Sequence, residues 1–238
     1  MPLERPSFGT RLEAVEARIA SALARSGRER SQIKLVAVTK KFSASRIREA
    51  YNVGLRDFGE NYVQEFAQKR PQLDDCKEAR YHFIGHLQSN KARLACDLFQ
   101  VIETVDSAKL LDRLDSAARE RGVRLEALLE VRLSDEDAKS GASPEAIPKL
   151  LDAAKTSSHV TVSGLMTMPP WSQDPEQSRP YFQRLAELAR KYDLPHLSMG
   201  MSGDLEVAIE EGATIVRVGT ALFGPRPKPE PAAASTVS

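Results

Sequence analysis

A lysine follows the first apolar run of the chain. Residues 33–38 are mostly apolar and lead through Thr39 to Lys40. The carboxyl end of a buried strand is where α/β proteins place their functional groups. Burial and a neighbouring cation, here Lys41, favour the neutral and nucleophilic form of an amine. Lys40 is therefore a candidate for forming a Schiff base with an aldehyde.

Two glycine-containing segments near the other end of the sequence could bind an anion. Residues 198–204 (Ser-Met-Gly-Met-Ser-Gly-Asp) and 217–224 (Arg-Val-Gly-Thr-Ala-Leu-Phe-Gly) each follow a short apolar run and open a helix. Small residues let backbone N–H groups approach a ligand, and the loops after strands 7 and 8 of a barrel often build a phosphate site together. With Lys40 opposite, a phosphorylated aldehyde such as pyridoxal phosphate is a consistent ligand.

An arginine lies inside the last apolar run. Arg217 stands within residues 215–218, which are otherwise Ile and Val. A cation in a buried strand is costly unless it is paired or bound to a ligand. Two interpretations stay open: a structural arginine with a protein partner, or a donor to an acceptor atom of the ligand.

Apolar runs alternate with amphipathic segments along the chain. The predicted strands are residues 33–38, 56–58, 81–84, 98–104, 125–131, 160–165, 196–198 and 214–218. The predicted helices between them are residues 44–53, 61–70, 89–95, 107–121, 144–157, 175–192 and 204–211. Such alternation predicts a parallel sheet, and eight units fit a single (β/α)8 TIM-type barrel. A doubly wound open sheet is the alternative, because the second and seventh strands are short.

The predicted barrel has extensions on both sides. Apolar residues at helical spacing predict an amphipathic helix over residues 10–26, and we assign residues 1–30 to a segment that packs on the barrel. Residues 31–225 form the barrel. Residues 226–238 are rich in proline and alanine, which predicts a disordered tail.

Composition excludes several classes of protein. Lys and Arg number 34 against 33 Asp and Glu, for a formal net charge of +1, so we expect no nucleic-acid partner. The sequence has no run of 18 apolar residues, so we expect no membrane span. Cys76 and Cys96 cannot form a disulfide framework, and without a signal peptide they favour a cytoplasmic protein. No long apolar stripe is left over, so we expect a monomer.

Other polar residues have ordinary explanations. His82 and His86 are four residues apart, but two histidines without a third ligand make a weak metal site. We expect His82 to pack in the core, His86 to lie in a loop, and no metal to bind. The start of one predicted helix carries Asn90, Lys91 and Arg93. These residues form a solvated polar face, or else they contact a partner or a substrate.

Five segments together resemble the pyridoxal phosphate homeostasis protein family. They are residues 36–40 (Val-Ala-Val-Thr-Lys), 58–65 (Phe-Gly-Glu-Asn-Tyr-Val-Gln-Glu), 82–91 (His-Phe-Ile-Gly-His-Leu-Gln-Ser-Asn-Lys), 198–202 (Ser-Met-Gly-Met-Ser) and 217–220 (Arg-Val-Gly-Thr). The resemblance covers roughly residues 35–225. It implies a fold like the N-terminal barrel domain of alanine racemase, with pyridoxal phosphate bound through a Schiff base.

The resemblance also implies which residues hold the cofactor. Lys40 matches the Schiff-base lysine, Ser202, Gly219 and Thr220 match the phosphate cradle beside the Met201 backbone, Arg217 matches the arginine at the pyridine nitrogen, and Asn61 matches an asparagine near the cofactor. The sequence departs from the pattern at Arg132, where many members have asparagine. After it, Lys139 and Gly141 match the pattern again.

The family resemblance implies a carrier that supplies or buffers pyridoxal phosphate inside the cell, with pyridoxal phosphate-dependent apo-enzymes as partners and no catalytic residues. A racemase-like enzyme is the alternative. A racemase needs acid and base groups on both faces of the substrate carbon. In the alanine racemase fold the opposing tyrosine comes from a second β domain, which we do not expect here. Arg217, always protonated, would also leave the ring a poor electron sink. A phosphate-binding barrel without an aldehyde is a third possibility.

Overall fold

Eight parallel strands close into a barrel in the computed structural model, which describes residues 6–134 and 140–225. The strands are β1 (Lys34–Val38), β2 (Asp57–Glu60), β3 (Arg80–Phe83), β4 (Val101–Val105), β5 (Leu125–Glu130), β6 (Val160–Met166), β7 (His196–Ser198) and β8 (Ile215–Val218). Each strand pairs with the next, and β1 pairs with β8 with Leu35 opposite Val216. The predicted (β/α)8 barrel is confirmed, and the open-sheet alternative is wrong.

Helices follow the strands and cover the outside of the barrel. They are α1 (Phe8–Ser26), α2 (Ala44–Asn52), α3 (Val63–Lys69), α4 (Ala92–Leu98), α5 (Ala108–Arg121), α6 (Ile147–Ala154), α7 (Arg179–Lys191), α8 (Leu205–Glu210) and α9 (Thr220–Phe223). Local signals set several ends. The Ser107 hydroxyl accepts a hydrogen bond from the backbone of α5, and Gly122 ends that helix in the left-handed conformation.

The main boundary error lies before β4. The prediction began this strand at Leu98, but Leu98 is the last residue of α4 and the strand begins at Val101. The backbone N–H of Phe99 still donates to the Ala95 carbonyl oxygen at 2.9 Å. Leu98 and Phe99 are apolar because they are buried at the end of a helix, a pattern that a short apolar run cannot distinguish from a strand.

The barrel has an interior core and a larger core outside the sheet. Val36, Val101, Leu128, Met166 and Ile215 form a small apolar cluster of their own. A larger apolar cluster draws its members from both helices and strands. No helix in the described ranges has the length and apolar character needed to cross a membrane.

Helix α1 packs beside the strand pair that closes the barrel, against α8 and α9. The Arg18 guanidinium donates twice to the Glu206 carboxylate, at 2.5 and 2.7 Å. The ring centroids of Phe8 and Phe223 are 5.2 Å apart. The predicted tail (226–238), residues 1–5, the charged run 135–137 and Lys139 lie outside the described residues.

Candidate functional site

A cavity of about 440 Å³ opens at the carboxyl ends of the strands. All seven residues predicted to bind the cofactor line it: Lys40, Asn61, Met201, Ser202, Arg217, Gly219 and Thr220. They come from the segments after β1, β2 and β7, from β8, and from the segment after β8. Because all strands are parallel, these segments meet at one mouth although they are distant in sequence.

Lys40 lies in the turn after β1, two residues beyond the last strand residue, and is half-buried. Its neighbours fix this turn. The Thr39 backbone N–H donates to the Gly59 carbonyl oxygen at 2.9 Å. Lys41 adopts a left-handed backbone conformation, with φ of 65°, and its N–H donates to Glu65 Oε1 at 2.6 Å. The turn therefore holds Lys40 at the cavity while Lys41 is exposed.

A buried ammonium supports the same turn from below. Lys69 Nζ lies 2.9 Å from Glu60 Oε1, 2.6 Å from Glu65 Oε1 and 3.1 Å from the Thr39 carbonyl oxygen. Burial raises the pKa of Glu60, and the ammonium of Lys69 opposes that rise. The sequence analysis did not single out Lys69, since a lysine in an amphipathic helix usually belongs to the solvated face.

Asn61 presents an unsatisfied acceptor at the cavity. Its Oδ1 atom is buried and has no hydrogen-bond partner in the part of the chain that the structure describes. A buried amide oxygen in a native protein is normally hydrogen-bonded, so an orphaned one beside a cavity marks a place for a polar ligand. Close packing of Gly85 against the Asn61 backbone fixes this position, because a Cβ at Gly85 would collide with it.

The loops after β7 and β8 are joined by the Ser202 hydroxyl, which accepts from the Ala221 backbone N–H at 3.3 Å. Asp204 orders the first loop: its Oδ1 accepts from the Met201 N–H at 2.7 Å, and its Oδ2 accepts from the Ser178 hydroxyl at 2.8 Å. Gly219 lies beside Val38, and a Cβ placed on it would be in ordinary van der Waals contact with that residue. Hydroxyls and small residues at one end of the cavity fit a phosphate group.

Arg217 has protein partners, as the first interpretation of the sequence expected, and it also lines the cavity, so its role as a donor to a ligand stays a prediction. Its Nη1 donates to Ser198 Oγ at 2.5 Å and its Nη2 donates to the Thr167 carbonyl oxygen at 2.9 Å. Burial lowers the pKa of Arg217, and Glu103, whose Oε2 is 3.8 Å from Nη1, opposes this. These two hydrogen bonds fix the guanidinium beside the cavity that Arg217 lines.

His82 is buried inside the barrel, where both of its ring nitrogens meet carboxylates. Nδ1 is 2.7 Å from Glu103 Oε1, and Nε2 is 2.9 Å from Asp57 Oδ1. His86 lies in an exposed loop, and its nearest carboxylate, Asp106, is 4.0 Å away. Residues 6–134 and 140–225 contain no group of three or more His, Cys, Asp or Glu that could hold a metal ion. Sequence reasoning missed Asp57 and Glu103.

The segment 167–178 after β6 forms one lip of the cavity. Met168 and Trp171 line the cavity while 39% and 82% exposed. Arg132 is exposed and does not line the cavity, and its backbone N–H donates to the Ala142 carbonyl oxygen at 2.9 Å. Lys91 and Arg93 also lie outside it, bound to Gln64 and Glu120.

Comparison with known proteins identifies the family. A family model described as the alanine racemase N-terminal domain matches residues 10–227. The pyridoxal phosphate homeostasis protein of Aquifex aeolicus is 44% identical over 91% of this chain and 97% of its own length. That of Bos taurus is 42% identical over 92% of this chain and 87% of its own length.

Solved structures agree with these relatives. PipY of Synechococcus elongatus PCC7942, solved with pyridoxal phosphate bound, matches with a TM-score of 0.76 and 39% identity, over 87% of this chain and all of that one. Alanine racemase of Clostridium difficile 630 matches 92% of this chain and 58% of its own, with a TM-score of 0.71 and 12% identity, which supports the fold alone. The chain therefore belongs to the pyridoxal phosphate homeostasis protein family, and its barrel is of the alanine racemase N-terminal type.

Proposed function

We propose that this protein binds pyridoxal phosphate in the cavity as a reversible Schiff base on Lys40, and that it supplies or buffers the cofactor inside the cell. The observation that carries the proposal is the meeting of Lys40, the Ser202 and Thr220 hydroxyls and the Arg217 guanidinium in one cavity of about 440 Å³. The names of its relatives and the bound cofactor of PipY support the same conclusion.

Each residue has a distinct role in this proposal. Pyridoxal phosphate supplies an aldehyde that an amine can attack, a phosphate and a pyridine nitrogen. The Lys40 amine forms the covalent bond. Ser202 and Thr220 donate hydroxyl hydrogen bonds to the phosphate, with the Gly219 and Met201 backbones beside them. Arg217 donates to the pyridine nitrogen. The orphaned Oδ1 of Asn61 is a ready acceptor at the cavity.

The arrangement supports a carrier more than a catalyst. Among residues 6–134 and 140–225, those that line the cavity include no tyrosine and no histidine that could exchange a proton with the face opposite Lys40. Arg217 keeps its own proton and does not protonate the ring nitrogen, which limits carbanion chemistry. We propose a monomer located in the cytoplasm, with apo-enzymes that need pyridoxal phosphate as the recipients. The two buried free thiols, Cys76 and Cys96, are in keeping with a reducing compartment.

Borohydride reduction tests the covalent role of Lys40. Incubation with pyridoxal phosphate followed by reduction should add the cofactor to Lys40, as seen by peptide mass spectrometry. Lys40→Ala should lose the label and the associated visible absorbance. Lys155→Ala is the matched control, since Lys155 is an exposed lysine outside the cavity and its loss should leave the labelling of Lys40 intact. Equal labelling in the Lys40→Ala variant would contradict the assignment.

Hydroxyl deletion tests the phosphate cradle. Ser202→Ala and Thr220→Ala should each weaken cofactor binding by about 1–3 kcal/mol, the range for a hydrogen bond to a charged group. Exposed Ser31 lies outside the cavity, so Ser31→Ala is the control. An unchanged dissociation constant in the double variant Ser202→Ala/Thr220→Ala would place the phosphate elsewhere.

Two further measurements separate carrier from enzyme. A panel of amino acids should show no turnover, and any rate above ~1 per second would favour a racemase-like enzyme instead. Mixing the loaded protein with an apo-enzyme that requires pyridoxal phosphate should restore that enzyme's activity. Sedimentation should give the mass of a single chain.

A further inference from the structure

A chain of polar side chains runs through the barrel interior and ends at the cavity. Asp57 Oδ1 is 2.9 Å from His82 Nε2, and His82 Nδ1 is 2.7 Å from Glu103 Oε1. Ser198 donates its hydroxyl to Glu103 Oε2 at 2.5 Å and accepts from Arg217 Nη1 at 2.5 Å. His82 and Glu103 are fully buried, so solvent cannot replace these contacts. Of these five hydrogen-bonded residues, Arg217 is the one that lines the cavity.

The geometry fixes the charges along this chain of residues. An ionised carboxylate only accepts hydrogen bonds, so a histidine between two of them must donate from both ring nitrogens. Burial lowers the pKa of His82, but the bonds to Asp57 and Glu103 outweigh burial and raise it. Burial raises the pKa of Glu103, yet His82 and Arg217 keep it below its usual value. The positive charges of His82 and Arg217 are then matched by the negative charges of Asp57 and Glu103.

Other charges lie at both ends of this cluster. At the Arg217 end, Asp204 and Glu130 oppose the lowering of the Arg217 pKa by burial, as Glu103 does. At the Asp57 end, two cations are close. Lys34 Nζ is 3.9 Å from Asp57 Oδ1, and Arg80 also lowers the pKa of Asp57. Arg80 is paired with Glu126, which also accepts from the Ser163 hydroxyl at 2.5 Å. Glu126 thus resembles Glu103 as a carboxylate on a barrel strand that contacts a serine and an arginine, but its arginine is Arg80 rather than Arg217. It offers a matched comparison.

We propose that Asp57, His82 and Glu103 are positioning residues that hold the Arg217 guanidinium at the cavity for the ring nitrogen of the cofactor. This inference rests on the proposed function. Without the Glu103 charge, Arg217 would keep its hydrogen bonds to Ser198 and Thr167 and the weaker attraction of Asp204 and Glu130, but it would lose the strongest of the negative charges that sustain it. A buried cation that loses its main counter-ion is strongly disfavoured. The guanidinium would then turn towards other acceptors and lose its orientation towards the ring.

Binding measurements with two ligands test the inference. Pyridoxal phosphate contains a ring and a phosphate, whereas inorganic phosphate has no ring. Glu103→Gln and the milder Ser198→Ala should each weaken pyridoxal phosphate binding by about tenfold and change inorganic phosphate binding by less than about twofold. Glu126→Gln should lower the melting temperature but leave both affinities within about twofold. Equal affinities for pyridoxal phosphate in all three variants and the wild type would overturn the inference.

Nitrogen-15 NMR of the cofactor-free protein gives a second and independent test. The chain has four histidines, so the His82 signals can be assigned by their loss in His82→Gln. Both ring nitrogens of His82 should carry protons at about pH 7. A neutral tautomer in the wild-type protein would refute the charge assignment. This measurement needs no cofactor, so its failure is distinct from a failure of the proposed function, which would show as no binding of pyridoxal phosphate at all.

Discussion

Replacing Lys69 by methionine should lower the free energy of unfolding by about 3 kcal/mol at neutral pH. Breaking a buried ion pair by removing one partner costs roughly 3–5 kcal/mol. The Lys69 side chain is 10% exposed and that of Glu60 is 0% exposed, so Glu60 would lose its counter-ion without gaining water. The lower end of the range applies because Glu65, the other partner, is 27% exposed and can be hydrated.

The loss of stability should depend on pH, with a definite sign. Burial already raises the pKa of Glu60 in the folded protein. A carboxyl group with a raised folded pKa stabilises the fold when protonated, and this contribution is lost as the pH rises through that pKa. Without Lys69 the folded pKa of Glu60 rises further. The variant should therefore lose more stability at about pH 7.5 than at about pH 5, because a larger fraction of Glu60 is protonated at the lower pH.

Urea unfolding of the wild type and the variant at both pH values measures this effect. The double variant Glu60→Gln/Lys69→Met should regain much of the loss, since the unpaired carboxylate is gone. Lys155→Met is the matched control: Lys155 pairs with Asp152 at 2.7 Å, but both side chains are at least 70% exposed, so its loss should cost under about 1 kcal/mol. Equal losses of stability for Lys69→Met at the two pH values would refute the reasoning.

Three other changes have clear expected outcomes. Gly200→Ala should lower stability by about 2 kcal/mol or more, seen as a lower melting temperature, because φ is +89° and a Cβ would collide with α8. Burial raises the pKa of Cys96 to about 11, so a thiol reagent at about pH 8 should label it only after denaturation; rapid labelling of the native protein would contradict this. Arg18→Ala removes the bidentate contact to Glu206 and should cost about 1 kcal/mol in urea unfolding, whereas an unchanged midpoint would show that this ion pair does not stabilise the packing of α1.

The alternation of apolar runs and amphipathic helices was enough to predict the barrel. Even the short strands β2 and β7 form, because the closed sheet gives each strand a neighbour on both sides. The failure before β4 has a physical reason. Leu98 belongs to a helix end that is as apolar as a strand, and only the Phe99 hydrogen bond to Ala95 distinguishes them.

The residues around Ser202 and Gly219 were predictable because their loops are rich in glycine and serine, whereas Asn61 was named only through the family resemblance. The supporting residues were not. Glu103 falls inside the predicted fourth strand, but its burial against His82 depends on the register and closure of the barrel. Lys69 is one of many lysines in amphipathic helices, and only the tertiary fold shows that it is buried. Contacts between residues that are far apart in the sequence cannot be predicted from the local sequence around each of them.

Closure of the barrel between β1 and β8 has a consequence for synthesis. Lys40 follows β1 and Thr220 follows β8, and these strands are adjacent, with Val36 opposite Arg217. β1 is synthesised long before β8, so the edge of β1 that pairs with β8 stays unpaired until β8 is made. Until then, the cavity does not exist on the nascent chain. A ligand that bonds to Lys40 and rests on Thr220 spans this seam. Such a ligand can bind only the closed barrel, and its binding stabilises the closed barrel relative to the open form.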